Sequence, residues 1–417
     1  MVESNRLKAL ARAYMVENPG TKYQQALDAV LNKESAVPAP TAVPAAVLAG
    51  NDAAGAAAWI RTLGGVPAPE ELAHRWADSL TAAHLEVPIG VSAEADFTIG
   101  DEPETVWLNL AAANGGARPH FAYAGRTGMG NSYALNGLLT GLAARYSPDR
   151  VQFVLAEYRG MSLCDTFAKF PHTAITAPDL RSDSDGVTAL FDTLHAEIDR
   201  RVKLLGERGA SDLEHYNAQP SAADTPRMPA LLITIDEIDP LLAEHPDAVT
   251  SLLRVVRVGR SLGMHLLLAG QRAPQRLADA WPHITGRVCL SVHSKFDSIA
   301  MISTTDAAVQ QLRPGWAYLR TTGLDMPAPF RVFDIGSPAA HELRNLIESM
   351  PKPQWRIAET TPHLFVGEQV TVDFGGTAVA GTYAGRRGQL YVVRDGQPSG
   401  GEIVTAQLPH RVADATA

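Results

Sequence analysis

The middle of the chain alternates short apolar runs with amphipathic segments of helical period. The apolar runs are rich in β-branched and aromatic residues and have the length of buried strands. Between two of them, large aliphatic residues recur at a spacing that gives a helix one buried face: Leu190, Leu194, Ile198, Val202 and Leu205. This alternation predicts an α/β core in which helices flank a parallel sheet, with strands at residues 121–125, 151–158, 230–237, 265–271 and 287–292.

The segments on either side of this core have other patterns. Residues 1–35 predict a short helical segment, broken at Asn18-Pro19-Gly20. Residues 36–50 are rich in proline and alanine and predict an extended linker. The core, with a helical lead-in, is predicted over residues 51–350. Period-two runs interrupted by glycines predict a small antiparallel β unit over residues 351–417.

Composition and charge restrict the class of protein. No run of about 18 apolar residues occurs, so no membrane-spanning helix is expected. The polar N-terminus does not have the pattern of a secretory signal, and two cysteines in 417 residues do not suggest a disulfide or zinc framework. These features predict a cytoplasmic protein. The net charge of −9 argues weakly against a dedicated DNA-binding face, without excluding DNA contacts through a few loops.

A glycine-rich segment after the first predicted strand has the spacing of a phosphate-binding loop. In AGRTGMGNSYALN, Gly125 and Gly130 are followed by Asn131 and Ser132, which fits the Walker A pattern G-x-x-x-x-G-K-[ST] except at the lysine. Backbone N–H groups and the following helix N-terminus would bind phosphates, and the Ser132 hydroxyl would bind Mg²⁺. We therefore expect the following residues to bind ATP: Gly125, Arg126, Thr127, Gly128, Met129, Gly130, Asn131, Ser132 and Tyr133.

Two other strand ends carry candidate catalytic residues. The apolar run LLITI ends at Asp236 and Glu237, the pattern of a Walker B motif. Asp236 would bind Mg²⁺, and Glu237 would polarise the attacking water. Gln271 follows the strand HLLLAG, where a polar side chain can contact the γ-phosphate and respond to its loss.

Beyond these motifs, about 60% of the chain resembles the FtsK/SpoIIIE family, and more specifically the EccC ATPases of type VII secretion. The resemblance rests on PHFAYAGRTGMGNSYALN, on VGRSLGMHLLLAGQR at residues 258–272 and on PGWAYLR at residues 314–320. It implies a RecA-like P-loop motor domain that assembles with other ATPase modules and moves DNA or a secreted protein. Without a membrane segment, such a protein would reach a membrane complex only through a partner.

Three positions depart from the family pattern. Asn131 occupies the place of the Walker A lysine, and Ile299 occupies the place of an arginine that acts across a subunit boundary. Glu157 stands where the related domains have an aspartate. EccC chains contain several ATPase modules in tandem, some with altered phosphate loops, and this sequence resembles such a module.

The missing lysine is expected to weaken nucleotide binding and to slow catalysis further. A charge-assisted contact contributes about 1.5–3 kcal/mol, so its loss weakens binding by about 10- to 150-fold. Catalysis also loses charge that stabilises the transferring phosphoryl group. Arg126, inside the loop, is one hypothetical substitute.

Three functions remain open at this point. The first is an ATP-binding domain with weak or no hydrolysis, acting as a regulatory or partner-binding subunit of a type VII secretion-like motor. The second is an active DNA translocase, favoured by Arg254, Arg257 and Arg260 at three-residue spacing. The third is a scaffold that does not use nucleotide. Candidate partners are other ATPase modules, a secreted protein and DNA.

Overall fold

The computed structural model describes most of the chain between residues 58 and 357 and the strands of a second sheet. The described residues are 58–82, 84–94, 99, 103–112, 120–160, 162–219, 227–309, 312–321, 324, 326–353, 355–357, 369–374, 377–387, 390–395, 402–405 and 410–411. The helical segment and the linker predicted for residues 1–50 lie outside them.

Ten strands form one large sheet in the order β2-β1-β10-β9-β8-β3-β7-β6-β4-β5. Neighbours from β8 to β5 are parallel, whereas the pairs from β2 to β8 are antiparallel. The strands are β1 His84–Ser92, β2 Thr105–Ala112, β3 His120–Ala124, β4 Val151–Glu157, β5 Thr173–Ala177, β6 Ala230–Asp236, β7 Met264–Gly270, β8 Ile284–Cys289, β9 Trp316–Arg320 and β10 Ala328–Val332.

The central strands are continuous apolar runs because both faces of the sheet are covered. Every residue of β3, β4 and β7 is buried, as expected for parallel strands between two helical layers. The five predicted strands are confirmed as β3, β4, β6, β7 and β8. Strand β5 and the antiparallel strands β1, β2, β9 and β10 were not predicted from the sequence.

Helices connect and cover these strands. They are α1 Pro69–Ser79, α2 Asn131–Arg145, α3 Ser162–Phe167, α4 Ser184–Glu207, α5 Leu213–Ala218, α6 Ile238–Glu244, α7 Ala248–Leu262, α8 Lys295–Ile302, α9 Asp306–Val309 and α10 Pro338–Glu348, with a 3-10 helix at Gln275–Ala280. Residues 58–62 are also helical. The predicted parallel sheet flanked by helices is therefore confirmed.

Helix α4 shows where the helical period was misleading. Its predicted apolar face is buried at Leu190, Leu194, Ile198 and Leu205, but Val202 is 53% exposed. The neighbouring residue, Arg201, is fully buried and bonds to Glu197 one turn earlier. This buried ion pair lies beside the apolar face, so the buried stripe does not include Val202.

The C-terminal strands form a separate five-stranded antiparallel sheet in the order β14-β13-β12-β11-β15. Its small core contains Val370, Val372, Tyr383 and Val393, which confirms the predicted β-rich unit. The strands are β11 Gln369–Phe374, β12 Thr377–Arg387, β13 Leu390–Asp395, β14 Glu402–Thr405 and β15 His410–Arg411.

Within the described residues, no helix is long and apolar enough to cross a membrane.

Candidate functional site

The carboxyl ends of the central parallel strands place the predicted site residues along one edge of the sheet. The loop at residues 125–130 follows β3, Glu237 follows β6 and Gln271 follows β7. Since β3 pairs with β7 and β7 pairs with β6 in parallel, these three ends are adjacent. Crevices outside the carboxyl ends of such strands are the usual ligand sites of α/β sheets.

Backbone hydrogen bonds hold the phosphate loop, residues 125–130, against its surroundings. The Gly125 N–H donates to the Gly270 carbonyl (3.1 Å), and the Arg126 N–H donates to the Ser291 carbonyl (2.7 Å). At the far side, the Gly315 N–H donates to the Met129 carbonyl (2.9 Å). These three bonds are formed by backbone atoms, so they do not depend on the side chain at position 131.

The loop leaves backbone donors available. Gly130 precedes α2 with φ of 105°, a backbone conformation that favours glycine. Because glycine has no side chain, Gly130 does not cap the helix. Among the described residues, no side chain caps the N–H groups of the first turn of α2, and Ser132 in that turn is exposed. Uncapped N–H groups at a helix N-terminus attract anions, through both their hydrogen bonds and the helix dipole.

Asn131 acts as a brace inside the loop. Its Nδ2 donates to the carbonyl of Gly125 at 2.6 Å and to the carbonyl of Gly270 at 3.3 Å. The Asn131 amide thus connects the start of the phosphate loop to the end of β7, immediately before Gln271. Its Oδ1 is buried and has no hydrogen-bond partner within the described residues. The side chain therefore contributes donors to the loop but no positive charge.

The acidic edge of the site consists of Asp236, Glu237 and Gln271. Glu237 has φ of 56° and ψ of 47°, a left-handed conformation that is uncommon for residues other than glycine and clusters at functional sites. Its N–H donates to Asp236 Oδ1 (2.9 Å), and its Oε1 accepts from Gln271 Nε2 (3.3 Å). The structure thus brings the three predicted acidic-edge residues together.

The Asp236 carboxylate lies in a poorly solvated place. Burial raises the pKa of Asp236, the N–H of Glu237 lowers it, and the negative charge of Glu237 raises it again. A bound cation would relieve this unfavourable environment of the charged Asp236. The position of Asp236 at the strand end therefore suits a magnesium ligand.

Glu157 is used differently from the other acids. Its carboxylate accepts the N–H groups of Leu163 (3.1 Å) and Cys164 (2.9 Å) in the first turn of α3. Burial raises the pKa of Glu157, these bonds lower it, and nearby Asp236 raises it. The longer side chain at this position therefore caps a helix rather than facing the loop.

The two positions that carry positive charge in the family pattern, 131 and 299, carry none here. Ile299 lies on α8 and is only 7% exposed, so an arginine at this position would have to displace core packing to reach a neighbouring subunit. Arg126 is half-buried, and its buried Nε has no hydrogen-bond partner in the described part of the chain. Its role as a substitute for the lysine stays a prediction.

A cavity of about 1110 Å³ opens beside the loop. It is mainly apolar, and its lining includes Gly130 and Tyr133 on one side and Phe333 and Pro338 on the other. The Tyr133 hydroxyl donates to Asp334 and accepts from the Ile335 N–H (3.1 Å). Burial, followed by the bond to Asp334, raises the pKa of Tyr133 to about 12, so this hydroxyl stays protonated and tethers α2 to the segment after β10.

Sequence reasoning missed two carboxylates that contact the segment after β7. Asp239 Oδ2 accepts the Arg272 N–H (3.1 Å), and Asp297 Oδ1 accepts the Ala273 N–H (3.2 Å). Asp239 lies three residues beyond Asp236, which could have drawn attention to it. Asp297 has no such signal, because only folding brings α8 against this segment.

A mostly parallel sheet with a phosphate loop after one strand and an acid pair after a neighbouring strand defines the fold of a RecA-like P-loop ATPase domain. Residues 91–275 match the model of the FtsK/SpoIIIE family, so this part of the chain is an FtsK/SpoIIIE-type domain. The family resemblance seen in the motifs is thereby confirmed.

Relatives with this domain are type VII secretion proteins. The chain is 35% identical over 240 residues to the ESX-4 secretion system protein EccC4 of Mycobacterium tuberculosis, covering 57% of this chain and 19% of the relative. It is 32% identical over 253 residues to the type VII secretion system protein EssC of Staphylococcus aureus, covering 60% and 16%. The chain thus spans about a fifth or less of the length of these two relatives.

Solved structures agree with the fold. The cytoplasmic domain of the type VII secretion ATPase EccC of Thermomonospora curvata superposes with a TM-score of 0.65 at 25% identity, covering 83% of this chain and 41% of that chain. ATPases 2 and 3 of EssC from Geobacillus thermodenitrificans give a TM-score of 0.53 at 20% identity, covering 72% and 59%. The second similarity supports the fold alone.

Proposed function

We propose that this chain is a nucleotide-binding ATPase module with weak or no hydrolysis, which acts as a regulatory or partner-binding subunit of a type VII secretion-like motor. The observation that carries this proposal is the contrast within one site. The Asn131 amide bonds to Gly125 and Gly270 where a lysine would supply charge, while Asp236, Glu237 and Gln271 keep the residue types that hydrolysis needs.

The residues present fit ATP with Mg²⁺. The uncapped N-terminus of α2 and the backbone of the phosphate loop offer donors for phosphate oxygens. The Ser132 hydroxyl and the Asp236 carboxylate would bind Mg²⁺, which neutralises phosphate charge when present. The apolar cavity next to Gly130 and Tyr133 has room for a nucleoside.

Hydrolysis is disfavoured for a separate reason. Glu237 is placed to polarise a water molecule, and Gln271 bonds to it directly. However, neither Asn131 nor the buried Ile299 contributes positive charge to the phosphoryl group. Since stabilisation of that charge is the main part of catalysis in P-loop enzymes, the site is expected to hold nucleotide much better than it cleaves it.

Calorimetric titration of the full chain with the slowly hydrolysed analogue ATPγS and Mg²⁺ tests the binding part. We expect a dissociation constant between tens of micromolar and low millimolar, corresponding to about −4 to −6 kcal/mol. Ser132→Ala should weaken this binding only when Mg²⁺ is present. Ser261→Ala, at an exposed position on α7, is the matched control. No binding of ATPγS to the wild type at about 10 mM would instead support a scaffold that does not use nucleotide.

The regulatory part predicts that nucleotide changes assembly. Light scattering after size-exclusion chromatography, with a second ATPase module from the same secretion system, should show a complex whose stability depends on Mg²⁺ and ATPγS. A complex that is indifferent to nucleotide in wild type and Ser132→Ala would count against nucleotide-dependent regulation.

An active DNA translocase is the alternative that one surface feature favours. Arg257 and Arg260 are exposed on one side of α7, and a basic helix face can contact phosphates. Arg254, the third arginine of this stripe, forms an ion pair with Asp199 of α4. Stimulation of ATP hydrolysis by double-stranded DNA, reduced in Arg257→Ala and Arg260→Ala, would establish this alternative over the proposal above.

A further inference from the structure

The segment that follows β7 has an unusual way of satisfying its backbone donors. It leaves the sheet at Gly270, carries Gln271 and continues into the 3-10 helix at Gln275–Ala280. The next two N–H groups, those of Arg272 and Ala273, bond to side-chain carboxylates rather than to backbone carbonyls. The position of Gln271 is therefore set by side chains outside its own strand.

The two carboxylates, named here the carboxylate clamp, come from different helices. Asp239 lies in the first turn of α6, directly after the acidic edge, and Asp297 lies in the first turn of α8. Neither forms an ion pair within 4 Å among the described residues. Through these two side chains, α6 and α8 both accept hydrogen bonds from the short segment after β7.

Space around the clamp is restricted. A Cβ added at Gly270 would collide with Asp239 Oδ2, so only glycine leaves room for this carboxylate beside the strand end. Asp297 is 2% exposed. Burial is the largest influence on Asp239 and raises its pKa to about 6, while the N–H and the positive charge of Arg272 lower it and the negative charge of Asp297 raises it. Burying two carboxylates beside backbone donors costs free energy of folding. We take this cost as an indication that the two side chains have a positioning role.

We propose that Asp239 and Asp297 position Gln271 for recognition of the γ-phosphate and couple the nucleotide state to helix α8. This inference rests on the proposed function, because the γ-phosphate must reach Gln271 for the clamp to matter. A shift of Gln271 on nucleotide exchange moves the N–H groups of Arg272 and Ala273, and Asp297 transmits that movement to α8. Phe296, the neighbour of Asp297, is 36% exposed, so α8 presents an apolar side chain at the surface.

Competition between ADP and ATPγS measures the positioning role. The readout is the dissociation constant of ADP divided by that of ATPγS. A general loss of structure would weaken the binding of both ligands and leave this ratio unchanged. Asp239→Ala and Asp297→Ala should each lower this ratio by about threefold to tenfold, the value of one hydrogen bond, with ADP affinity unchanged. Asp239→Asn and Asp297→Asn keep an acceptor oxygen and should retain the wild-type ratio. Gln271→Ala should reproduce the loss, and Asp279→Ala, exposed on the 3-10 helix, should not.

Hydrogen exchange separates failure of the clamp from failure of nucleotide binding. In nucleotide-free protein, Asp239→Ala should speed amide exchange in residues 271–275, and Asp297→Ala should speed it in residues 271–275 and 295–302. If the wild type binds no nucleotide, the proposed function fails. Independently of that result, amide exchange that is unchanged in both alanine variants would overturn the clamp. If nucleotide binds and the alanine variants keep the wild-type ratio, the clamp alone is overturned. If Asp239→Ala does not fold, Asp239→Ser replaces it, because the serine side chain is shorter than that of aspartate. The same criteria then apply to Asp239→Ser.

Discussion

The two halves of the site differ in what they supply to a bound nucleotide. The loop half, residues 125–132, has the glycines, the uncapped helix and the hydroxyl of a phosphate site, but its key side chain is a neutral amide bonded to two carbonyls. The acidic edge, Asp236, Glu237 and Gln271, keeps the expected residue types and a direct bond between Glu237 and Gln271. The loop half thus has the backbone shape of a phosphate site without a lysine charge, whereas the acidic edge has both its carboxylates and their contacts.

This difference separates two tasks that a Walker A lysine combines. A lysine inside such a loop can donate hydrogen bonds to backbone carbonyls and also place a positive charge near the phosphates. Asn131 performs the first task only. The loop therefore holds its form without the lysine, and loss of charge is expected to affect catalysis more than binding.

The largest expected effect lies in the acidic edge when charge is restored to the loop. In an Asn131→Lys background, Glu237→Gln should lower turnover by about 10²- to 10⁴-fold, the usual contribution of a general base. Steady-state ATP hydrolysis measures this effect. Glu244→Gln, exposed at the end of α6, is the control. Equal turnover in the Glu237→Gln and Glu244→Gln variants would show that the acidic edge is not catalytic and would remove the contrast between the halves.

A second substitution tests whether the acidic edge binds metal. Asp236→Asn should weaken ATPγS binding about 10- to 150-fold in the presence of Mg²⁺, because a charged ligand is lost. Without Mg²⁺ the same variant should bind like the wild type. Asp247→Asn, exposed before α7, controls for the loss of one negative charge. An equal loss with and without Mg²⁺ would argue against a metal ligand.

A third substitution tests the brace in the loop half. Asn131→Ala removes two hydrogen bonds and should lower the free energy of unfolding by about 1–2 kcal/mol, or Tm by about 2–4 °C per kcal/mol. Thermal unfolding without nucleotide measures this, so the result is independent of binding. Asn136→Ala on the same helix is the matched control. A Tm equal to that of the wild type would mean that the amide does not stabilise the loop.

The smallest expected effect is the pH dependence of stability at Asp239. Burial raises its pKa to about 6 in the folded protein, so the folded state binds a proton more tightly than the unfolded state, where the usual value is about 3.9. Stability from this group therefore rises as pH falls from 7 to 5, by about 1 kcal/mol. Denaturant unfolding at both pH values should show this gain in the wild type relative to Asp239→Asn. Parallel pH profiles for the two proteins would contradict the unfavourable burial of this carboxylate.

Much of the core could be predicted from the sequence, because its signals are local. The strand before Gly125 and the strand before Asp236 are apolar runs that end in recognisable motifs, and their neighbours in the sheet follow the parallel pattern. The antiparallel strands depend on pairing with partners that are distant in sequence, as in the pairing of Gly90 with Val332. No local pattern marks such a pairing, so these strands were missed.

The site shows the same limit at the level of side chains. Residue type and spacing predicted which residues gather at the strand ends, because the carboxyl ends of parallel strands share an edge. They did not predict that Asn131 bonds to Gly270, or that Asp297 holds the Ala273 N–H. Each of these contacts joins residues far apart in sequence, and only the packed structure defines them.

ATP turnover of the wild type and of Asn131→Lys with Mg²⁺ shows whether the loop half lacks only charge. We expect little or no turnover for the wild type despite ATPγS binding, and turnover at least about tenfold higher for Asn131→Lys, the lower bound for one charge-assisted contact. The absolute rate should remain slow, because no arginine occupies position 299. Equal turnover of the two proteins would mean that the neutral amide supplies what the lysine was thought to provide, and that the loop half does not lack charge.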